Sequence, residues 1–124
     1  MGRGYLPGLL GIEFLEAEPG RVRSALDVRR ELLAPHQFLH AGTVVTLADT
    51  SAGYGCLSSL PEGATSFTTI ELKTNFLRSA SEGTIDCEAR LVHGGRTTQI
   101  WDATVTDAED RRMALFRCRQ LILR

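Results

Sequence analysis

From residue 64 to the C-terminus the chain reads as β, with clear period-two alternation of apolar and polar side chains in its middle segments and short turn signals between them. Half-buried strands joined by hairpins have this pattern. Ala64 to Leu77 is a long Thr-rich run. Thr84 to Val92 sets Ile85, Cys87, Ala89 and Leu91 on one face before Gly94-Gly95 turns the chain. Thr97 to Thr106 does the same with Trp101, Ala103 and Val105, Asp107 to Asp110 turns it again, and Met113 to Leu123 closes the series. Nearer the N-terminus, Ile12 to Ala17 and Arg21 to Val28 read as two further strands around a Glu18-Pro19-Gly20 turn. Leu6 to Leu10, with Pro7 near its start, suits a short helix, and Arg29 to Gln37, which holds Pro35, is a connection. The segment from Ala41 to Leu57 stands apart. It is long enough for a helix and apolar around most of its circumference.

The predicted order is ββ–α–ββββ, an α+β chain with a single domain over residues 1–124. A helix that is apolar on most faces needs cover on most faces, and a curved antiparallel sheet wrapped around one long central helix supplies it. That architecture is the hotdog fold. The short turns predict that the last four strands lie side by side as a meander. Gly53 and Gly55 each cost about 1 kcal/mol relative to Ala inside a helix, which predicts that another backbone approaches closely there.

Composition narrows the function classes. Hydrophobic residues form 43% of the chain, enough for a core, yet no apolar run is long enough to cross a bilayer. The apolar patch at Leu9-Leu10 is too short for a signal-peptide core, so a cytoplasmic location is expected. A net charge of −1 offers no electrostatic case for nucleic acid. Cys56, Cys87 and Cys118 are odd in number and widely spaced, with no CxxC or Cys/His ligand spacing. They are expected to be buried free thiols, not disulfides or zinc ligands.

Candidate chemistry concentrates in the helix. Asp49 is the only carboxylate between His40 and Glu62, and that stretch holds no Lys or Arg. A carboxylate on an apolar helix must be paired, neutralised by a raised pKa, or kept for chemistry. His40-Ala41-Gly42 opens the helix, where unpaired N–H groups and the positive end of the dipole suit an oxyanion or a polarised carbonyl. Ala41 and Asp49 lie roughly 12 Å apart along the axis, at about 1.5 Å per residue. One scissile carbonyl cannot easily touch both. Two antiparallel copies about a twofold axis would bring the helix start of one chain to the acid of the other. His36 and His93 read as loop histidines. Gly94-Gly95-Arg96 lacks the following Lys-Ser/Thr and the strand–helix context of a phosphate loop.

Four segments carry a family resemblance. They are His40-Ala41-Gly42 with Asp49 nine residues on, in the context Leu47-Ala48-Asp49-Thr50; Asn75-Phe76-Leu77-Arg78; Val92-His93-Gly94-Gly95-Arg96-Thr97; and Ala114-Leu115-Phe116-Arg117. In that order and spacing the chain resembles the hotdog-fold acyl-CoA thioesterases, in particular the phenylacetate-degradation (PaaI-type) branch, over nearly its whole length. The resemblance implies a thioester hydrolase with no metal or organic cofactor, acting on acyl-CoA. It also implies a homodimer, and a dimer of dimers, with the site shared between subunits. By the same resemblance Asp49 is the catalytic carboxylate, and His40 positions the thioester or leaving group. Ala41 stands in place of the motif's first glycine, whose backbone N–H polarises the carbonyl, and keeps that N–H; Gly42 matches the second glycine and is counted with the catalytic residues. Candidate substrate-binding residues are Gln37, Phe38, Tyr54, Thr69, Asn75, Arg78 and Arg96, the two arginines being suited to CoA phosphates. Ala34 stands where the family often has Asn or Gln, which leaves Gln37 as the only nearby amide, and Gly53 stands where some members carry Ser or Thr. Two alternatives remain open at this point. A hotdog enoyl-CoA hydratase or dehydratase would usually carry a His-Phe-Pro-Gly type loop, which Leu39-His40-Ala41-Gly42 lacks. A non-catalytic acyl-CoA-binding module would be favoured by loss of the helix acid, and Asp49 is present.

Overall fold

The computed structural model describes residues 2–124. Its elements are α1 (Leu6–Leu10), β1 (Glu13–Glu18), β2 (Arg21–Asp27), a 3-10 turn (Arg30–Leu32), α2 (Ala41–Ser58), β3 (Ser66–Phe76), β4 (Thr84–Gly94), β5 (Thr98–Thr106) and β6 (Arg112–Leu123). Each expected strand and helix is present, with ends displaced by no more than a residue or two.

The six strands form one antiparallel sheet in the order β1-β2-β4-β5-β6-β3. β4, β5 and β6 do form a meander, but β3 does not join it beside β4. It lies at the far edge, paired with β6 through Thr69↔Gln120 and Thr74↔Phe116. β4 already has a neighbour on each side, β2 through Ser24↔Cys87 and β5 through Ala89↔Ala103. Residues 77–83 therefore carry the chain from the sheet edge past the start of α2 to the middle of the sheet. The Leu39 N–H donates to the Ala80 carbonyl at 2.8 Å along that path. Local alternation cannot report such a crossover, because a strand looks the same whichever neighbour it takes.

α2 touches all six strands. Six strands at about 4.8 Å spacing span about 24 Å, roughly twice the diameter of a helix. A flat sheet could not keep every strand in contact with one helix, so the sheet curls around it, and the hotdog arrangement follows. Val44, Leu47, Ala48, Ala52 and Cys56 of α2 pack against Val22, Leu26, Ile85, Trp101, Val105 and Phe116 of the sheet. The close approach expected at the two late glycines is made by aromatic rings and not by another backbone. A Cβ on Gly55 would overlap the Trp101 ring, and one on Gly53 would lie 3.0 Å from Phe67 Cζ.

Ser24, Ser51, Gln99 and Trp101 all find hydrogen-bond partners in this core. Ser24 and Ser51 share a hydroxyl hydrogen bond of 2.6 Å, Trp101 Nε1 donates to Gln99 Oε1 at 2.7 Å, and Gln99 Nε2 donates to the Ser59 carbonyl at 2.9 Å. All three cysteines are free and buried, as the sequence predicts. Among the described residues no helix is long and apolar enough to cross a membrane.

Cover over α2 is incomplete. Nine of its 18 residues are buried. Thr46, Asp49 and Thr50 are only half-covered and Leu57 is exposed, a stripe at helical spacing along one side. The nearby edge strand β3 exposes Ile70, Leu72 and Phe76. Thus the single chain leaves one face of its helix and one edge of its sheet unfinished.

Candidate active site

The start of α2 is fixed by the connection before it. The His40 N–H donates to the Leu32 carbonyl at 3.1 Å, and Thr43 Oγ1 donates to the same carbonyl at 2.9 Å. Between these points residues 33–39 make a small hairpin: Ala34 N–H donates to Phe38 O at 2.7 Å and Gln37 N–H to Ala34 O at 2.9 Å. His40 itself is the N-cap residue, with Nδ1 accepting the Gly42 N–H at 2.8 Å. A neutral imidazole that accepts at Nδ1 carries its proton on Nε2. His40 therefore caps the helix with one nitrogen and turns a donor outward with the other. Gly42, counted among the catalytic residues as the second glycine of the motif, has its N–H taken up in this cap. The Ala41 N–H donates to no group among the described residues. It is a free donor at the positive end of a long helix whose first turn holds no acid.

This end of α2 opens on a cleft of about 680 Å³ whose walls include Ala34, His36, His40, Ala41, Arg78 and Ser79. None of its described lining residues is a carboxylate. A guanidinium, two imidazoles and a helix N-terminus thus face one space, which favours an anionic or oxyanionic ligand.

Asp49 faces a different space, a pocket of about 240 Å³ whose walls are otherwise almost all apolar: Pro7, Phe14, Tyr54, Leu57 and Phe67. The Phe14 and Tyr54 rings stack with centroids 4.5 Å apart. Asp49 Oδ1 is enclosed and has no hydrogen-bond partner among the described residues. Burial alone raises its pKa above the usual aspartate value, since desolvation disfavours the charged form. Burial, and after it the nearby Asp49 charge, pushes the Cys118 thiol up to about 12. That thiol stays protonated and is not a rival nucleophile. The two pockets share no lining residue.

The other expected residues divide between these spaces and the rest of the surface. Arg78 lies on the helix-start cleft and Tyr54 on the Asp49 pocket. Phe38 is 47% exposed and meets His36 edge-on. Thr69 is engaged within the sheet, its Oγ1 donating to Gln120 Oε1 at 2.7 Å. Asn75 pairs with exposed Leu115 and, with Lys73 and Arg117, borders a shallow groove that neither His40 nor Asp49 lines. Arg96 sits in the β4–β5 turn, where its carbonyl accepts from Arg124 Nη2 at 2.9 Å. That turn is beside the C-terminal end of α2, as the Gln99–Ser59 bond shows. Eighteen residues separate it from the helix start, about 27 Å at 1.5 Å per residue, so Arg78 and Arg96 do not meet within one chain. Phe14, Phe67, Leu57 and Pro7 carry no sequence signal of a pocket. They are apolar residues in apolar patterns, and nothing local distinguishes a pocket wall from a core. Among the described residues no three His, Cys, Asp or Glu side chains are placed to hold a metal ion.

One long helix held within a six-stranded antiparallel sheet that curls around it is the hotdog architecture. Known proteins agree. The family model of the thioesterase superfamily matches residues 36–114, a span that holds both the helix start and Asp49. The chain is 31% identical over 109 residues to acyl-coenzyme A thioesterase PaaI of Escherichia coli, covering 87% of this chain and 75% of that one. It is 30% identical over 109 residues to 1,4-dihydroxy-2-naphthoyl-CoA hydrolase of Listeria monocytogenes, covering 88% of each. The solved structure of E. coli PaaI, from the phenylacetic acid degradation operon, superposes with a TM-score of 0.88 at 26% identity, over 95% of this chain and 83% of that chain. A variant thioesterase from Pseudomonas aeruginosa, with a glutamine replaced by alanine, gives 0.92 at 24% identity over 98% of this chain and 87% of its own; at that identity the likeness is one of fold. The chain belongs to the thioesterase superfamily, and it is a thioester-hydrolysing enzyme.

Proposed function

We propose that the protein hydrolyses acyl-CoA thioesters, with aryl or short- to medium-chain acyl groups, to the free acid and CoA. Asp49 carries this reading: a carboxylate without a protein partner, its pKa raised by burial, facing an apolar pocket of acyl size. The two similar enzymes, a naphthoyl-CoA hydrolase and an acyl-coenzyme A thioesterase, both act on CoA thioesters and support it. The acyl group occupies the pocket of Phe14, Tyr54 and Phe67, and the CoA arm lies in the helix-start cleft with its phosphates toward Arg78. The free Ala41 N–H and the helix dipole hold the oxyanion that forms as the thioester carbonyl is attacked. Asp49 takes the proton of the attacking water, or attacks the carbonyl itself to give a mixed anhydride that water then cleaves. In either route the C–S bond breaks and the CoA thiolate leaves, with His40 Nε2–H placed to meet it.

In this proposal the site is built by two chains. The separate pockets of Ala41 and Asp49, the half-covered helix stripe and the exposed apolar residues of β3 support a twofold dimer in which α2 packs antiparallel to its copy. The direct test is thiol release from a panel of phenylacetyl-, benzoyl-, butyryl-, octanoyl- and palmitoyl-CoA, by wild type and by Asp49→Asn. Turnover of the aryl or shorter substrates that Asp49→Asn abolishes is expected. No turnover of any thioester overturns the reading.

A further inference from the structure

We propose that Phe67 is the specificity-determining residue of the acyl pocket: its ring, seated on Gly53 beside Asp49, closes the pocket to acyl chains longer than about ten carbons. This rests on the acyl-CoA reading above and adds to it the residue that limits acyl length. The observation that carries it is the meeting of ring and glycine. Gly53 and Phe67 both line the Asp49 pocket. Gly53 is buried in the interior of α2, where glycine is a poor helix former and alanine the best. A Cβ at that place would lie 3.0 Å from Phe67 Cζ, inside the roughly 3.5–4.0 Å of an ordinary carbon–carbon contact. The ring reaches the helix only because residue 53 carries no side chain.

Gly55 gives the contrast. The ring it admits, Trp101, is fully buried and belongs to the core. Phe67 is only half-buried. It pairs across the sheet with buried Ile122, so its ring points inward, yet it borders the Asp49 pocket and not solid core. The glycine at 53 thus gives up helix propensity to shape a pocket. Phe14 and Tyr54, the other two rings of that pocket, brace each other with centroids 4.5 Å apart. Phe67 has no such ring partner among the described residues, and its place against the helix is set by the glycine. Volume says how much chain fits. An apolar cavity of about 150 Å³ holds one benzene, or about 25 Å³ per carbon. On that scale the 240 Å³ of the pocket takes about ten carbons, enough for a one-ring or an octanoyl group, whereas a palmitoyl chain needs about 400 Å³. Removing the ring carbons of Phe67 brings the space to about 390 Å³, close to that need.

The test compares wild type, Phe67→Leu and Phe67→Ala on phenylacetyl-, butyryl-, octanoyl- and palmitoyl-CoA, the last below its micelle-forming concentration, with kcat/KM read by thiol release. Wild type should be about a hundredfold or more slower on palmitoyl-CoA than on its best shorter substrate. Phe67→Ala should raise kcat/KM on palmitoyl-CoA about tenfold or more and change it on the best shorter substrate by no more than a few-fold, with Phe67→Leu between the two. Phe67→Leu keeps an apolar side chain on the strand and decides the matter if the alanine variant does not fold. An unchanged ratio of palmitoyl to shorter substrate in the folded variants, or ready hydrolysis of palmitoyl-CoA by wild type, overturns the role of Phe67 while leaving the hydrolase reading intact. Failure of the wild type on every thioester overturns both.

Discussion

Burial without a partner sets the behaviour of Asp49. Its folded-state pKa lies above the unfolded value, so the folded protein holds that proton more tightly than the unfolded chain. The sign follows: no penalty exists below the unfolded pKa, it grows as pH rises through the folded pKa, and it is complete above it. Asp49→Asn removes the charge and should therefore melt higher than wild type at pH 7, with the gap closing near pH 3. The same change should lower kcat by about a hundredfold or more, as expected on losing a base or nucleophile. Melting curves and initial rates on one preparation check both. An Asn variant that melts lower at pH 7 would mean that the carboxylate is paired in solution.

At the scale of the helix, His40 has two separable roles. Its Nδ1 caps the first turn, and its Nε2–H faces the cleft. Asn is among the best N-cap residues, whereas loss of a cap costs about 1 kcal/mol. His40→Asn should hold wild-type stability and His40→Ala should fall by about 1 kcal/mol, while both lose activity to a similar degree. Chemical denaturation beside rate measurements separates the two; recovery of activity in His40→Asn would reduce the histidine to a cap. Gly55 gives the opposite lesson on propensity. Ala is the better helix former by roughly 1 kcal/mol, yet its Cβ would overlap the Trp101 ring in the fully buried core. Overpacking of this kind costs about 1–3 kcal/mol, so Gly55→Ala should lower the denaturation midpoint. A midpoint that rises would show that Trp101 can move aside.

The whole molecule is where the proposed site becomes complete. β3 is an 11-residue strand with a sheet neighbour on one side, and its Ile70, Leu72 and Phe76 stand exposed. Such an edge invites pairing with a second chain. Mixing tests the shared site. Asp49→Asn and His40→Ala proteins are dissociated, combined and reassociated. A mixed dimer then has one site with both lesions and one with neither, so it should show about half of wild-type activity although each parent is nearly inactive. If the site lies within one chain, every site keeps a lesion. Heterodimers confirmed by mass but still inactive would rule out the two-chain arrangement.

Much of this is written in the one-dimensional pattern, because its causes are local. The period-two alternation within residues 84–123 reflects strands with one buried face. The apolar circumference of Ala41–Ser58 reflects a helix inside a sheet, and the lone acid at Asp49 is conspicuous because its neighbours are apolar. Other features depend on contacts between residues far apart in the chain, and no local pattern encodes them. The place of β3 beside β6 depends on β2 having taken the side of β4 that a meander would have used. The rings against Gly53 and Gly55 come from β3 and β5, and the wall of the Asp49 pocket is assembled from α1, β1, α2 and β3. The capture of the Gly42 N–H by His40 follows from ring geometry, and the distance between Arg78 and Arg96 follows from the length of the helix they flank. Periodicity records which face of an element is buried. Only the folded chain decides what it is buried against, and so which polar groups are left free for a substrate.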